Sequence, residues 1–182
     1  MFIDRTMPVS VTTQPALGGG TTAYLSYVPA SILGTAADPG SNPAGLQNVK
    51  IRISRLNSVF ARGWYDWDGG WATSGAFLQS VVGSLAAWNK LISRPVDFLE
   101  GYKYEVQTEA QDFARNAAGT YANYEVNYAT AAFVVDFTTP TVESITFSTN
   151  AVNYIYGTLI TSGTINDPNS AGGQVFSGVD KV

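Results

Sequence analysis

The sequence of 182 residues contains no cysteine and no histidine. The lack of cysteine excludes disulfide bonds and thiolate metal sites. The lack of histidine removes the commonest general base and the commonest transition-metal ligand, so Ser–His–Asp and Cys–His arrangements are impossible within this chain. No pair of carboxylates is marked out for glycoside cleavage either. We therefore expect that the protein is not an enzyme.

Charge is also scarce. Only 13% of the residues are charged and the formal net charge is −4. Because Lys and Arg form no cluster, nucleic acid is not an expected partner. No run of about 18 apolar residues is present, so no membrane insertion is expected. Residues 1–10 do not have the pattern of a signal peptide, and a signal for export would have to lie upstream or have been removed.

What the chain does have is a strand pattern. Hydrophobic residues make up 45% and aromatic residues 13% of the chain, enough for a core. Apolar and polar residues alternate with a period of two, which predicts half-buried strands. The apolar positions of these strands are Val49, Ile51 and Ile53; Tyr102, Tyr104 and Val106; Tyr124, Val126 and Tyr128, continuing to Val135; Val142, Ile145 and Phe147; and the run Tyr154–Ile165. Turn signals separate them, so we expect an all-β sandwich with under a tenth of the residues in helices.

Residues 76–92 allow two interpretations. Phe77, Val81, Leu85 and Trp88 are spaced as on one face of a short amphipathic helix. A loop followed by a strand from residue 87 to residue 93 fits equally. Gly83 and the surrounding serines weaken a helix, so we favour the loop and strand.

The chain repeats itself. The motif Asp-x-Thr-x-Pro occurs at residues 4–8 and again at residues 136–140. Residues 34–39 match residues 163–168, and residues 44–49 match residues 177–182. The spacing between copies changes only in stretches rich in Gly, Asn, Ser and Pro, where loops tolerate insertions. Three collinear matches predict one long repeat and the beginning of a second.

Three motifs carry a resemblance to a known family. Residues 133–142 are similar to the linker FTVDTTPPTV, residues 163–182 to SGTAxD…SGVxxV, and residues 104–116 to YTVxVxATDNAGN. These motifs resemble bacterial immunoglobulin-like, or Big-type, tandem repeat domains of large cell-surface and adhesin-like proteins. The resemblance implies an immunoglobulin-like β-sandwich, and it makes Tyr104 a candidate corner tyrosine whose hydroxyl bonds back to the backbone.

These observations predict three parts. Residues 1–4 would end the last strand of a preceding repeat. Residues 5–136 would form one immunoglobulin-like sandwich with an inserted Trp-rich hairpin at residues 57–98. Residues 137–182 would be the N-terminal third of a second repeat. Alone, residues 141–182 would leave apolar side chains and strand edges uncovered, so we expect this tail either to dock by strand addition or to be poorly ordered.

The Trp-rich hairpin is the candidate ligand-binding site. It resembles the YWNGxxW hairpin of longer family members, and its tryptophans are Trp64, Trp67 and Trp71. Asp68-Gly69 predicts a two-residue turn that sets Trp67 opposite Gly70. The three indoles would stack on sugars if they form an exposed platform; otherwise they pack onto the sandwich. Packing is the interpretation we favour.

No cofactor is expected, although a structural calcium ion is an open alternative. The side chains of Asp38, Asp66, Asp68 and Asp167 supply oxygen ligands of the kind that calcium takes. None lies in a dense acidic loop, and turn formation explains each of them as well.

The resemblance implies a structural spacer, stalk or adhesion module of a secreted or cell-surface protein. Its expected partners are neighbouring immunoglobulin-like repeats, with surface glycans or other cell-surface proteins as further candidates. The alternative is a carbohydrate-binding module that uses the Trp64, Trp67 and Trp71 hairpin.

Overall fold

The computed structural model describes residues 4–15, 22–56, 63–72, 79–115, 123–125, 128–147 and 161–166. These residues contain no α-helix, and the one helical turn among them is a 3-10 helix at Pro95–Asp97. No helix in the described ranges is long and apolar enough to cross a membrane. The strands in chain order are β1 (Val9–Gln14), β2 (Thr22–Leu25), β3 (Ser31–Ala37), β4 (Leu46–Leu56), β5 (Gly63–Asp66), β6 (Gly70–Ala72), β7 (Gln79–Ser80), β8 (Val82–Ser84), β9 (Ala87–Leu91), β10 (Lys103–Asp112), β11 (Ala129–Val135), β12 (Thr141–Phe147) and β13 (Thr161–Asn166). The predicted all-β class is confirmed.

Two large sheets enclose one core. Sheet I has the strand order β1-β3-β9-β8, and sheet II has the order β2-β11-β10-β4-β5-β6, with β7 also paired to β4. Neighbouring strands are antiparallel except for β2 and β11, which run parallel. Strand β10 lies between β4 and β11 and pairs with both along most of its length.

The predicted alternation fixes which side chains enter the core. Val49, Ile51 and Ile53 of β4 are fully buried, as are Tyr104 and Val106 of β10. The residues between them face outward and are partly exposed along most of both strands. One inner face of large apolar residues therefore comes from sheet II.

The last strand of this sandwich is shorter than the pattern around Tyr124 predicts. Strand β11 begins only at Ala129, and Tyr124 forms an isolated bridge to Gln111. Glu125 is held differently: its carboxylate accepts hydrogen bonds from the Ser10 hydroxyl and from the backbone N–H of Ala110. This inward-turned carboxylate interrupts the alternation that the sequence shows.

The strand that the favoured interpretation expects at residues 87–93 is present as β9, whereas the short strands β7 and β8 lie where that interpretation expects a loop. Strands β8 and β9 make a hairpin that pairs with β3, while residues 76–78 lie outside the described ranges. Trp88 is buried against Gly34, where a Cβ atom would lie 2.0 Å from the indole Cζ2 and 2.4 Å from the carbonyl oxygen of Val11. Glycine is required at position 34 because the indole occupies the space of a side chain.

Strands β12 and β13 form a separate two-stranded sheet, sheet III. In sheet I, Val9 pairs with Ala37 and Thr12 pairs with Gly34. Sheet III pairs Thr141 with Asn166 and Ile145 with Gly163, with an irregularity after Val142. Val142 is 59% exposed; the remainder of the predicted second unit lies outside the described residues.

Candidate functional site

The Trp-rich hairpin closes with a longer turn than its sequence predicts. Strands β5 and β6 pair Asp66 with Gly70 and Tyr65 with Trp71, so residues 67–69 form a three-residue turn. The predicted pairing of Trp67 with Gly70 and of Asp66 with Trp71 is wrong by one residue. The reason is Gly70, whose φ of +88° supplies the left-handed step that closes a three-residue turn. The shift places Trp71 beside Tyr65 on the inner face of the sheet.

Two of the three predicted tryptophans belong to the core. Trp67 is 6% exposed, and its indole N–H donates to the carbonyl oxygen of Leu91 at 2.8 Å. Trp71 is half-buried, and its indole N–H donates to the carbonyl oxygen of Asp97 at 2.7 Å. Both indole N–H groups donate to backbone carbonyl oxygens, one at the end of β9 and one in the segment that follows it, so the hairpin is fixed to the end of the sandwich.

A cluster of aromatic rings extends from the hairpin into the core. Ring centroids lie 4.8 to 6.2 Å apart in edge, tilted and stacked arrangements. Such spacings are those that quadrupole interactions favour. The members are Tyr65, Trp67, Trp71, Phe98, Tyr104 and Phe133.

Trp64 lies on the opposite, outer face of sheet II. The Arg52 guanidinium carbon is 4.8 Å from the Trp64 ring centroid and 4.1 Å from that of Tyr128. Arg52 is held by its Nε–H, which donates to Oε1 of Gln107 at 2.6 Å. Since one face of Trp64 is covered by Arg52 and Trp67 is buried, the three indoles do not share one exposed plane. Sugar binding by this hairpin stays the untested alternative to packing.

Tyr104 is a corner tyrosine, as expected. Its hydroxyl accepts the backbone N–H of Leu99 at 2.6 Å and donates to the Leu99 carbonyl oxygen at 3.1 Å. Burial raises the pKa of the Tyr104 hydroxyl well above its usual value. The hydroxyl therefore pins the turn before β10 to the first residues of that strand.

Three carboxylates converge at the opposite end of the sandwich. One oxygen each from Asp4, Asp38 and Asp112 lies within 4.8 Å of the other two. Asp4 precedes β1, Asp38 follows β3 directly, and Asp112 ends β10 and is fully buried. Of the residues predicted for calcium, only Asp38 belongs to this group, because Asp66 and Asp68 lie at the hairpin and Asp167 is outside the described residues. The sequence marks the other two positions: Asp4 begins the repeated Asp-x-Thr-x-Pro motif, and Asp112 lies in the family motif at residues 104–116.

Hydrogen bonds hold these carboxylates unequally. Asp4 accepts the backbone N–H groups of Thr6 and Ala44, which lower its pKa. Asp38 accepts the N–H of Gly45 at 2.7 Å through Oδ2, while its buried Oδ1 has no hydrogen-bond partner. Burial, together with the charges of Asp4 and Asp112, raises the pKa of Asp38. The cluster thus keeps one carboxylate under electrostatic strain.

The cluster has the chemistry of a calcium site in part. Calcium takes six to eight oxygen ligands at 2.3–2.6 Å, and oxygens within 4.8 Å of one another fit around one such ion. Three carboxylates would supply a minority of the ligands. Calcium binding stays the open alternative to the expected lack of a cofactor.

The backbone leaves the sandwich at the other end. The N–H of Asp136 donates to the carbonyl oxygen of Leu25 at 2.8 Å, and Glu100 accepts from the N–H of Phe137 and the hydroxyl of Thr138. The Thr138 N–H donates to Oδ1 of Asp136, as the Thr6 N–H does to Oδ1 of Asp4.

No protein-family model, no curated protein and no solved structure matches the chain.

Proposed function

We propose that the chain is a spacer module of a secreted or cell-surface protein built from tandem immunoglobulin-like repeats. The strand orders support this. An immunoglobulin variable-type sandwich has sheets ABED and GFCC′C″. Labelling β1, β3, β9 and β8 as A, B, E and D, and β11, β10, β4, β5 and β6 as G, F, C, C′ and C″, reproduces both orders. The corner formed by Tyr104, at the start of the strand labelled F, is a further hallmark.

Equivalent pairing supports the repeat. Val9 pairs with Ala37 in sheet I. When each of these positions is moved by the distance between the two copies of its sequence motif, the result is Thr141 and Asn166, which pair in sheet III. The same turn precedes both first strands, with an Asp carboxylate accepting the N–H of the Thr two residues on. Sequence similarity between loops would not require this common register.

The observation that carries a spacer role is the position of the two chain junctions. Asp4 lies beside Asp112, the last residue of β10. Val135 lies at the other end of that strand, where its carbonyl oxygen accepts the N–H of Gly101 at 2.7 Å. A ten-residue strand is about 30 Å long. Repeats joined in this way extend along a line, and each adds its full length to a stalk.

Spin-label distances test this geometry directly, because a chain without cysteine accepts introduced pairs cleanly. Arg5→Cys with Phe137→Cys marks corresponding points of the two junctions, and both positions are exposed. We expect a distance of roughly 30–40 Å. The control pair, Arg5→Cys with Phe113→Cys, lies at one end of β10 and should give less than about 20 Å. Equal distances in the two pairs would refute an end-to-end arrangement.

Carbohydrate binding is the competing function. Burial of Trp67 and coverage of Trp64 by Arg52 favour packing over sugar stacking. A glycan array on the chain, repeated with Trp64→Ala, decides between them. Glycan binding that Trp64→Ala abolishes would replace the spacer function with a binding one.

A further inference from the structure

The chain leaves the first sandwich through a segment that is hydrogen-bonded to it residue by residue. The N–H of Asp136 donates to the carbonyl oxygen of Leu25 at 2.8 Å. The N–H of Phe137 donates to Oε1 of Glu100 at 3.1 Å, and the hydroxyl of Thr138 donates to the same oxygen. Connections between domains are usually exposed and flexible, whereas here one carboxylate holds two consecutive residues beyond the end of the sandwich.

The turn that carries Glu100 is itself fixed on both sides. The Tyr104 hydroxyl is hydrogen-bonded to both backbone groups of Leu99. Gly101 has a left-handed φ of +75°, and its N–H donates to the carbonyl oxygen of Val135 at 2.7 Å. Because the residues on either side of it are held, Glu100 meets the departing chain from a rigid turn that the corner tyrosine supports.

We propose that Glu100 is a junction clamp, a positioning residue that fixes the direction in which the chain enters the next module. The inference rests on the proposed spacer function and names the partner at that junction, the Asp-x-Thr motif that begins the following module. Within this motif Asp136 orders the turn by accepting the N–H of Thr138, and the Thr138 hydroxyl then bonds to the clamp.

The first copy of the motif fits the same arrangement. At residues 4–6 the Asp4 carboxylate accepts the N–H of Thr6, as Asp136 does for Thr138. In a tandem array this copy would therefore bond to the glutamate of a preceding module. A stalk clamped in this way is stiff at its joints as well as along its sandwiches.

Spin labels beside the junction test the clamp on the full chain. Thr130→Cys and Thr139→Cys place labels before and after it, at exposed positions that are at most about 30 Å apart. We expect one narrow distance distribution. Glu100→Ala should roughly double its width, because the three freed residues can move over as much as about 10 Å. Glu100→Gln should stay narrow, since one oxygen accepts both bonds and an amide retains that oxygen.

Two comparisons separate the clamp from other effects. Glu109→Ala removes the same charge from the outer face of sheet II and should leave the width unchanged. The label pair Thr130→Cys with Phe113→Cys, both at exposed positions, reports on the sandwich without crossing the junction. That pair should stay narrow in Glu100→Ala.

Three results would overturn the proposal. A broad distribution between residues 130 and 139 in the wild type would mean that the joint is mobile. An unchanged width in Glu100→Ala would mean that residues 137–139 are ordered without the clamp. Broadening between residues 113 and 130 in Glu100→Ala would give Glu100 a role in the whole sandwich instead. A mobile joint would still leave residues 5 and 137 at opposite ends of the sandwich, so the clamp can fail while the spacer function stands.

Discussion

The inner face of sheet II is built from large apolar side chains, whereas that of sheet I contributes mostly small and polar ones. Ile51 and Ile53 represent the first, while Ser10, Thr12 and Gly34 represent the second. Sheet I fills its share of the core chiefly with two large side chains, Ile32 and Trp88, the second of which lies over Gly34. The stability of the sandwich is therefore spread over many contacts in one sheet and concentrated in a few in the other.

The outer faces differ in the opposite sense. Sheet II carries Lys50 beside Glu109 and Arg52 beside Gln107, which mark a solvated surface. Sheet I shows no charge on its described outer face. A sheet that is polar inside at β1 and apolar outside is unusual for a monomer whose surroundings are only water. The predictions below test this contrast, beginning with the largest effect.

Gly34→Ala should be the most destabilising single change. The added methyl group would overlap the Trp88 ring and the backbone of Val11, and overpacking of a core costs roughly 1–3 kcal/mol, occasionally more. Trp88→Leu, introduced together with Gly34→Ala, should recover part of this loss. The coupling free energy between the two substitutions should be at least about 1 kcal/mol. Urea unfolding measures both variants. If Gly34→Ala lowers the free energy of unfolding by no more than about 0.5 kcal/mol, as expected for the exposed control Thr35→Ala, then the stability that sheet I contributes does not depend mainly on this contact.

Tyr104→Phe should follow in size. It removes both hydrogen bonds to Leu99 and leaves backbone groups without partners, at a cost of about 1–3 kcal/mol. Tyr24→Phe, at an exposed position, should be nearly neutral. Since the folded Tyr104 has a raised pKa, the folded state holds its proton longer than the unfolded state does. Stability should therefore fall as pH rises above about 10, less steeply in Tyr104→Phe. Matching pH profiles would contradict a buried corner hydroxyl.

Asp38→Asn tests the carboxylate cluster. Asparagine can still accept the N–H of Gly45, but it removes a charge that burial and two neighbouring carboxylates disfavour. Without divalent cations, the variant should be more stable at pH 7 than the wild type. The folded Asp38 has a raised pKa, so wild-type stability from this group rises as pH falls through that pKa, and the variant should lack this gain.

Calcium should reverse the order of these two proteins. An ion bound by Asp4, Asp38 and Asp112 would stabilise the wild type by mass action and the variant less. The test compares the melting temperatures of the wild type and Asp38→Asn, each measured with chelator and with millimolar calcium. Asp68→Asn, at the exposed turn, is the control. If calcium shifts neither protein, the cluster binds no calcium and only the electrostatic strain remains.

Much of sheet II could be read from the sequence because its strands obey one rule. Ile51 and Ile53 alternate with Lys50 and Arg52, and period-two burial is a local property. The corner role of Tyr104 was also visible, although through resemblance to a family motif. What period two does not encode is register at a turn. At Gly70 a single left-handed residue moved Trp71 to the core face, and Asp68-Gly69 gave no sign of it.

The candidate sites were harder to predict because they depend on distant parts of the chain. Asp4, Asp38 and Asp112 meet only after β1, β3 and β10 have paired, and each alone resembles a turn residue. Likewise, Trp64 and Trp67 are three residues apart but end on opposite sides of sheet II. Sequence proximity left one aromatic platform as an alternative to packing, whereas the hairpin separates Trp64 in β5 from Trp67 in the turn.

The smallest predicted effect concerns Arg52 on the outer face of sheet II. Its guanidinium lies between Trp64 and Tyr128 and is fixed by Gln107. Arg52→Lys keeps the charge but loses the planar group that stacks on both rings, so we expect a loss of about 0.5–1 kcal/mol. The loss should persist in high salt, since stacking at short range is screened little.

Glu109→Gln, which alters a cross-strand charge pair with Lys50, should instead cost about 0.2–1 kcal/mol at low salt and almost nothing in high salt. If Arg52→Lys shows the same salt dependence as Glu109→Gln, then Arg52 is only one more surface charge. Trp64 would then be more accessible than the structure indicates. The outer face of sheet II, where Arg52 is packed on aromatic rings, would then differ less from the uncharged outer face of sheet I.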